Sequence, residues 1–191
     1  LGVPEVEIEQ AREIKEPSEE IIKQRPLLHD KNPEVRTKAI RDLAYVFHDR
    51  KSISEIRKLL NDEDVNVRAE AILALGGLTG LGDKKSIPQV RNFLDDKNSI
   101  IRFNAIHFLT YLDDKESLPE IRKLLNDKDV TIIAICALDV LNDKESIPAI
   151  TRLLQDNDSR IRIASVNALD TLQSKESIPE IAKLLEDNDP K

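Results

Sequence analysis

The sequence predicts an all-α protein built from repeated pairs of helices. A ten-residue phrase that resembles the start of a helix occurs five times, with its serine at residues 52, 86, 117, 146 and 177. These spacings of 29 to 34 residues suit one helix pair with its turns. A second segment with helically spaced apolar residues follows each of the first four phrases, and no segment convincingly predicts a strand.

The first helix of each pair begins with residues that favour a helix start. Ser52 is followed three residues later by Glu55, the capping-box pattern in which the serine oxygen accepts a backbone N–H bond. Four of the five phrases carry proline in the predicted first turn, where its missing N–H loses no hydrogen bond. Ile56, Leu59 and Leu60 then follow helical spacing. We therefore expect the serines to be N-caps.

The second helix of each pair follows a turn rich in Asp and Asn. The candidate N-caps are Asn32, Asp64, Asn98, Asp129 and Asp158. The helices are predicted at residues 33–47, 65–75, 99–112, 130–141 and 159–172. Four of them carry an arginine at one repeat position, at residues 36, 68, 102 and 162. We expect these arginines to bind turn acids such as Asp64 and Asp158.

The second-helix sequence resembles the HEAT repeat, in the short form of the phycobilisome-lyase-like proteins. The matching pattern is a turn acid followed by Val-Arg-x-x-Ala-x-x-Ala-Leu, read here as Val67-Arg68…Ala71…Ala74-Leu75, Ile101-Arg102…Ala105…Phe108-Leu109 and Ile161-Arg162…Ser165…Ala168-Leu169. The resemblance covers about residues 18–191. It implies an α-solenoid whose second helices line the concave side and whose core comes from stacking of the pairs.

The repeats divide the chain into an N-terminal segment and an array. Residues 1–17 fit no repeat, and residues 1–20 carry a net charge of −5 of the chain's −7. We expect an acidic linker or cap there. The array at 18–191 is predicted to hold about five HEAT-like helix pairs, at 18–50, 51–83, 84–114, 115–143 and 144–174, and a terminal helix at 175–187.

Three departures from the repeat carry structural expectations. Pro26 should kink the first helix or delay its start. Four of the five glycines lie within residues 76–82, which predicts a bend or hinge after the second pair. Residues 130–141 are apolar almost all round, which is typical of a helix that is buried on every side or covered by a partner.

Composition excludes several classes of partner. The chain beyond residue 20 is nearly neutral, so no basic excess is present for a nucleic acid. Aromatic residues make up 3% of the chain, too few for base-stacking platforms. No apolar run predicts a membrane span or a signal peptide. Cys136 is the single cysteine, which excludes an internal disulfide and leaves the compartment open.

No residue pattern predicts catalysis, a metal site or a cofactor site. The three histidines are His29, His48 and His107, and none forms the His-Glu pair of the HEAT-type di-iron hydroxylases. A zinc site could draw on His107 and Cys136, which are two ligands at best. No Ser-His-Asp or Cys-His arrangement can be assembled. The sequence therefore predicts a non-enzymatic protein.

A helical wheel on the second helices predicts a partner-binding face. With the residue before the repeated arginine as position 1, positions 3, 7, 10 and 14 point away from the predicted core. These positions supply the predicted partner-binding residues Phe103, His107, Ile132, Ile163, Asp139 and Asp170, and continue at Asp114 and Asp143. An apolar row beside an acidic row suits an amphipathic partner with Lys or Arg. Alternatively, neighbouring side chains cover the apolar row as ordinary packing.

The function predicted from these features is a scaffold or adaptor that binds a protein or peptide on its concave face. The resemblance also implies a second interpretation, a lyase or lyase subunit that attaches a bilin chromophore. A third is a structural segment of a larger chain. A shifted absorption band on mixing with bilin would distinguish the second interpretation from the others.

Overall fold

The computed structural model describes residues 18–77 and 81–183, and within them the chain is helical without any strand. Its α-helices, in chain order, are α1 (Glu19–Gln24), α2 (Pro33–Arg41), α3 (Ile53–Lys58), α4 (Val65–Leu75), α5 (Ile87–Arg91), α6 (Ser99–Tyr111), α7 (Leu118–Lys123), α8 (Thr131–Val140), α9 (Ile147–Arg152), α10 (Ser159–Thr171) and α11 (Ile178–Lys183). The odd-numbered helices are the first helices, and the even-numbered ones are the second helices. The predicted all-α solenoid is confirmed.

Some predictions concern residues that the structure does not describe. They are the N-terminal segment at 1–17, the end of the terminal helix beyond residue 183, and residues 78–80 of the glycine-rich segment. The break at Pro26 is described: α1 ends at Gln24, and a 3-10 helix at Arg25–His29 carries the proline in its first turn. Proline is accommodated there because its missing N–H breaks no α-helical bond.

The second helices form a stack, and four of the first helices pack against their own second helices. Helices α2, α4, α6, α8 and α10 pack side by side in chain order. Helices α3, α5, α7 and α9 pack against α4, α6, α8 and α10 respectively. Small residues at the stacked positions permit close approach. Gly76 is an example, because a Cβ there would lie 2.5 Å from Phe108 Cδ2.

The first helices begin differently from the prediction. The side chain of Asp49 accepts a bond from the Lys51 backbone N–H and opens a 3-10 turn at Arg50–Ser52 that leads into α3. Ser52 itself has helical backbone angles, and its hydroxyl donates to Asp49 Oδ2 over 2.6 Å. Asp83 and Ser86 repeat this arrangement before α5. The serines before α3, α5, α7 and α9 make no side-chain cap bond, so the prediction of serine N-caps is wrong. Before α3 and α5 an aspartate three residues earlier makes the cap bond.

Most of the predicted second-helix caps are confirmed. Asn32, Asp64, Asn98 and Asp158 each accept a bond from the first turn of the following helix. The exception is the fourth pair, where Val130 precedes the helix and makes no side-chain cap. Asp129 is therefore not the cap. The hydroxyl of Thr131 instead donates to the Asp127 carbonyl over 2.6 Å, which ties the helix start to its turn.

A ladder of ion pairs joins consecutive first helices. Each pair joins an arginine at the end of one first helix or in its 3-10 extension to the aspartate before the next first helix: Arg25–Asp49, Arg57–Asp83, Arg91–Asp114 and Arg122–Asp143. At the last junction Thr151 takes the arginine position, and its hydroxyl bonds to Ser177 over 2.7 Å. Asp114 and Asp143 are buried in this ladder. Their predicted place on the outward face is wrong, because the chain has already turned into the next unit.

The arginines of the second helices form another ladder, in which Arg36 and Arg102 bind turn acids as predicted. Arg36, Arg68, Arg102 and Arg162 each donate from Nη1 to a backbone carbonyl of the turn before their own helix. Arg36 and Arg102 also pair with acids of the next unit's turn, Asp62 and Asp127, each at 2.7 Å. Asp64 and Asp158, the two acids named in the prediction, act as helix caps. The arginines therefore hold the turns in place.

The turn after each second helix contains a residue with left-handed backbone angles. These residues are His48, Gly82, Asp113, Asn142 and Gln173, with φ between 48° and 62°. An L-residue in this region costs roughly 1–2 kcal/mol, which glycine avoids.

We expect Gln173→Gly to raise the free energy of unfolding by about 0.5–1 kcal/mol in urea denaturation. Gly82→Ala is the control of opposite sign: no atom of the described residues lies within 4 Å of the added Cβ, so the change tests the backbone angles alone. A loss of stability in Gln173→Gly would contradict the expectation.

Candidate functional site

The predicted apolar row lies on three consecutive second helices and is exposed. Phe103 on α6, Ile132 on α8 and Ile163 on α10 have 43%, 37% and 52% of their surface exposed. Ordinary packing between helices therefore does not account for these side chains. His107 and Asp139 are half-buried, and Asp170 is exposed. That these six residues bind a partner stays a prediction.

The exposed apolar surface is larger than the predicted row. Ile100, Tyr111 and Val140 are also exposed, and the wheel prediction missed them. Ile100, Phe103, His107 and Tyr111 stand at i, i+3, i+7 and i+11 on α6, the spacing of one helix face. Extending the wheel to the positions four residues after His107 and Cys136 would have found Tyr111 and Val140. We call the exposed side of α6, α8 and α10 the second-helix face.

A groove opens on this face between α6 and α8. It has a volume of about 370 Å³ and is lined by His107, Thr110, Tyr111, Ile133, Cys136, Ala137 and Val140. We call it the α6–α8 groove. Its lining is mostly apolar and carries no charged side chain, which suits an apolar side chain of a partner.

Two polar atoms on the second-helix face are buried without a hydrogen-bond partner. Among the described residues, nothing bonds to His107 Nδ1 or to Asp139 Oδ1. Burial raises the pKa of Asp139 above its ordinary value. A buried polar atom left unpaired costs roughly 1–3 kcal/mol.

The thiol of Cys136 is exposed at the centre of the face. Partial burial and the negative charge of Asp139 raise its pKa above the ordinary value. The thiol therefore stays protonated at neutral pH, whereas an activated nucleophile needs a lowered pKa. In the described part of the chain, no three His, Cys, Asp or Glu side chains are grouped so that they could hold a metal ion.

The first two units present a different surface at the same positions. Arg41 Nε on α2 donates to Glu70 Oε2 on α4 over 2.7 Å. Burial, together with the charge of Glu70, raises the pKa of Tyr45 beside them. Thr37 and Ala69 occupy the positions that hold Phe103 and Ile132 further along. At these positions, exposed apolar side chains therefore occur only in the third to fifth units among the described residues.

No helix in the described ranges has both the length and the apolar composition required to cross a bilayer.

The geometry defines a helical-repeat protein with an apolar surface on one side of its stacked second helices. The sequence matches the family of HEAT repeats over residues 25–80, 74–138 and 126–191. The chain therefore belongs to the HEAT-repeat family. It matches none of the curated proteins with which it was compared.

Solved structures share the fold at low sequence identity. One is the complex of CpcE and CpcF of phycocyanin lyase from Nostoc sp. PCC7120, with a TM-score of 0.70 and 23% identity over 92% of this chain and 73% of that chain. An engineered protein has a TM-score of 0.65 and 22% identity over 89% and 90%. A designed armadillo repeat protein in complex with the peptide (KR)4 has a TM-score of 0.58 and 18% identity over 78% and 80%.

Proposed function

We propose that the chain is a non-enzymatic scaffold that binds a protein or peptide on its second-helix face. Helix α8 carries the proposal. One side of it is buried through Ala134, Ile135 and Leu138. Its other side exposes Ile132, Cys136 and Val140, with 68% of Val140 exposed. Apolar side chains that face solvent in a continuous patch are typical of interaction sites.

The similarity to the designed armadillo repeat protein supports a peptide partner in general terms. That protein is solved in complex with the peptide (KR)4. The acids on the face of the present chain, Asp139 and Asp170, suit a partner with Lys or Arg. Identity of 18% carries the fold alone, so the partner's sequence is not transferred.

A lyase or lyase subunit for a bilin chromophore is the second candidate. It is favoured by the similarity to the phycocyanin lyase complex. On this chain it would need a group that handles the chromophore, and His107 and Cys136 in the α6–α8 groove are the residues to test. Mixing the protein with bilin and recording the absorption spectrum tests it. A shifted band that His107→Ala removes would favour the lyase over the scaffold.

Phe103→Ala is expected to weaken partner binding by roughly 1–3 kcal/mol, mostly through faster dissociation, because apolar anchors dominate interface energy. A pull-down from the source cell with the wild-type chain, read by mass spectrometry, supplies the partner. Surface plasmon resonance then measures its affinity for each variant.

The matched control is Ile22→Ala, which truncates an isoleucine with 55% exposure on α1, away from the second-helix face. The control should bind like the wild type. Equal binding by Phe103→Ala, or an equal loss in both variants, would contradict a site on the second-helix face.

A further inference from the structure

We propose that the occupant of the second-helix face is an amphipathic helix that lies across α6, α8 and α10, with apolar residues at heptad spacing and Lys or Arg along one flank. This inference rests on the proposed scaffold function and specifies the chemistry of its partner.

The spacing of the apolar row indicates a helix. Phe103, Ile132 and Ile163 stand one on each of three packed helices. Packed helices lie about 8–10 Å apart, so the row should repeat at that distance. A helix presents the same side every seven residues, or about 10.5 Å along its axis. An extended strand presents the same side every two residues, at about 6.6 or 13 Å, which matches the row less well.

The acids lie parallel to this row. Asp139 follows Ile132 by seven residues, and Asp170 follows Ile163 by seven. Two helical turns separate each pair, so both acids face the same way as the apolar row and lie about 10.5 Å from it. That distance is close to the diameter of a helix with its side chains. A helix resting on the apolar row would therefore bring one flank over both acids.

The charge of the face sets the chemistry of that flank. Positions 3, 7, 10 and 11 of α6, α8 and α10 hold no Lys or Arg, and their acids are Asp139 and Asp170. Arg160, in the first turn of α10, is held by Asp158 at 2.6 Å. Asp139 is half-buried and Asp170 is exposed, so Lys or Arg on the flank of the partner would meet one acid over each of α8 and α10.

The flank is not uniform along the partner. On α6 the position that corresponds to Asp139 is Thr110, whose hydroxyl donates to the Ile106 carbonyl over 2.7 Å. The basic residues are therefore needed over α8 and α10. Over α6 the partner meets Tyr111 and the α6–α8 groove, which receives an apolar side chain. One end of the partner helix is accordingly apolar, and the other end is basic.

Three fluorescein-labelled peptides of 21 residues test the inference by fluorescence anisotropy with the full chain. The first carries Leu at heptad a and d positions and Lys on one flank of its last two heptads. The second replaces a central residue by Pro, which breaks the helix with little change in composition. The third replaces the flank Lys by Glu. We expect the first peptide to bind at least tenfold more tightly than either of the others.

Protein variants locate the contacts. Asp139→Asn with Asp170→Asn should weaken binding of the Lys peptide several-fold at low salt, with a smaller effect at high salt because screening reduces the attraction. The control, Asp95→Asn with Glu120→Gln, removes two exposed acids outside the second helices and should bind like the wild type.

The outcomes separate the inference from the function on which it rests. Equal binding of the Pro peptide and the Lys peptide would overturn the helical partner. Equal binding of the Lys and Glu peptides would overturn the basic flank. In both cases the scaffold function would stand if Phe103→Ala still released the partner captured from the cell. Loss of that dependence on Phe103 would overturn the scaffold function itself.

Discussion

Leu125→Ala is expected to lower the free energy of unfolding by roughly 2–5 kcal/mol, the range for truncating a buried leucine. Leu125 is the second leucine of the repeated phrase, and its side chain is 4% exposed in the core. The loss combines removed apolar contacts with the cavity left between α7 and α8. Urea denaturation followed by circular dichroism at 222 nm measures it.

Ile22→Ala serves again as the control, because an exposed residue of the same kind should change stability by less than about 0.5 kcal/mol. A loss below that value in Leu125→Ala would mean that the assignment of the repeated phrase to the core is incorrect. A loss spread over several separate transitions would instead contradict a shared core between the units.

Asp83→Ala is expected to lower the free energy of unfolding by about 2–4 kcal/mol. This is slightly below the range for fully buried ion pairs, because the Arg57 side chain is partly exposed. The carboxylate accepts bonds from Arg57 Nε and Nη2, both at 2.8 Å, and from the Ser86 hydroxyl. It also caps the 3-10 turn that leads into α5. Its removal leaves the Arg57 guanidinium without its main partner. Thermal and urea denaturation measure the loss.

The last junction of the array supplies a matched control for Asp83→Ala. There Thr151 and Ser174 take the places of the arginine and the aspartate, and both bond to Ser177. Arg57→Thr with Asp83→Ser copies that arrangement into the second junction. Because no charge is left unpaired, the double variant should be more stable than Asp83→Ala. Equal or lower stability would contradict the account of the ladder.

The sequence contained enough to predict the fold and part of the site. The repeated phrase and the alternation of helix pairs follow from local propensity and spacing, and Phe103, Ile132 and Ile163 follow from the wheel. The capping role of Asp49 was missed because Ser52 offers a capping-box pattern of its own. The backbone angles of Asp49 and Ser52 determine which of the two residues makes the cap bond. These angles depend on how the preceding helix ends.

Other features depend on contacts between units, which a single repeat does not reveal. Arg57 and Asp83 stand 26 residues apart and meet only because consecutive first helices stack. The wheel placed Asp114 and Asp143 on the outward face because it assumed that the helix continues to position 14. Residues 113 and 142 have left-handed angles, so the helix has already ended there. Tyr111 and Val140 were missed although they lie on the same side of their helices as Phe103 and Ile132.

Protection of Cys136 tests the central claim, that a partner covers the second-helix face, most directly. Cys136 is the only cysteine of the chain and lies exposed at the centre of that face. Its labelling rate by iodoacetamide, measured at mildly alkaline pH because its thiol pKa is raised, reports on access to the face. The control chain carries Cys136→Ser with Ile22→Cys. With the captured partner bound to saturation, we expect labelling at residue 136 to slow at least tenfold and labelling at residue 22 to stay unchanged. Unchanged labelling at residue 136 in the bound state would show that the partner sits elsewhere.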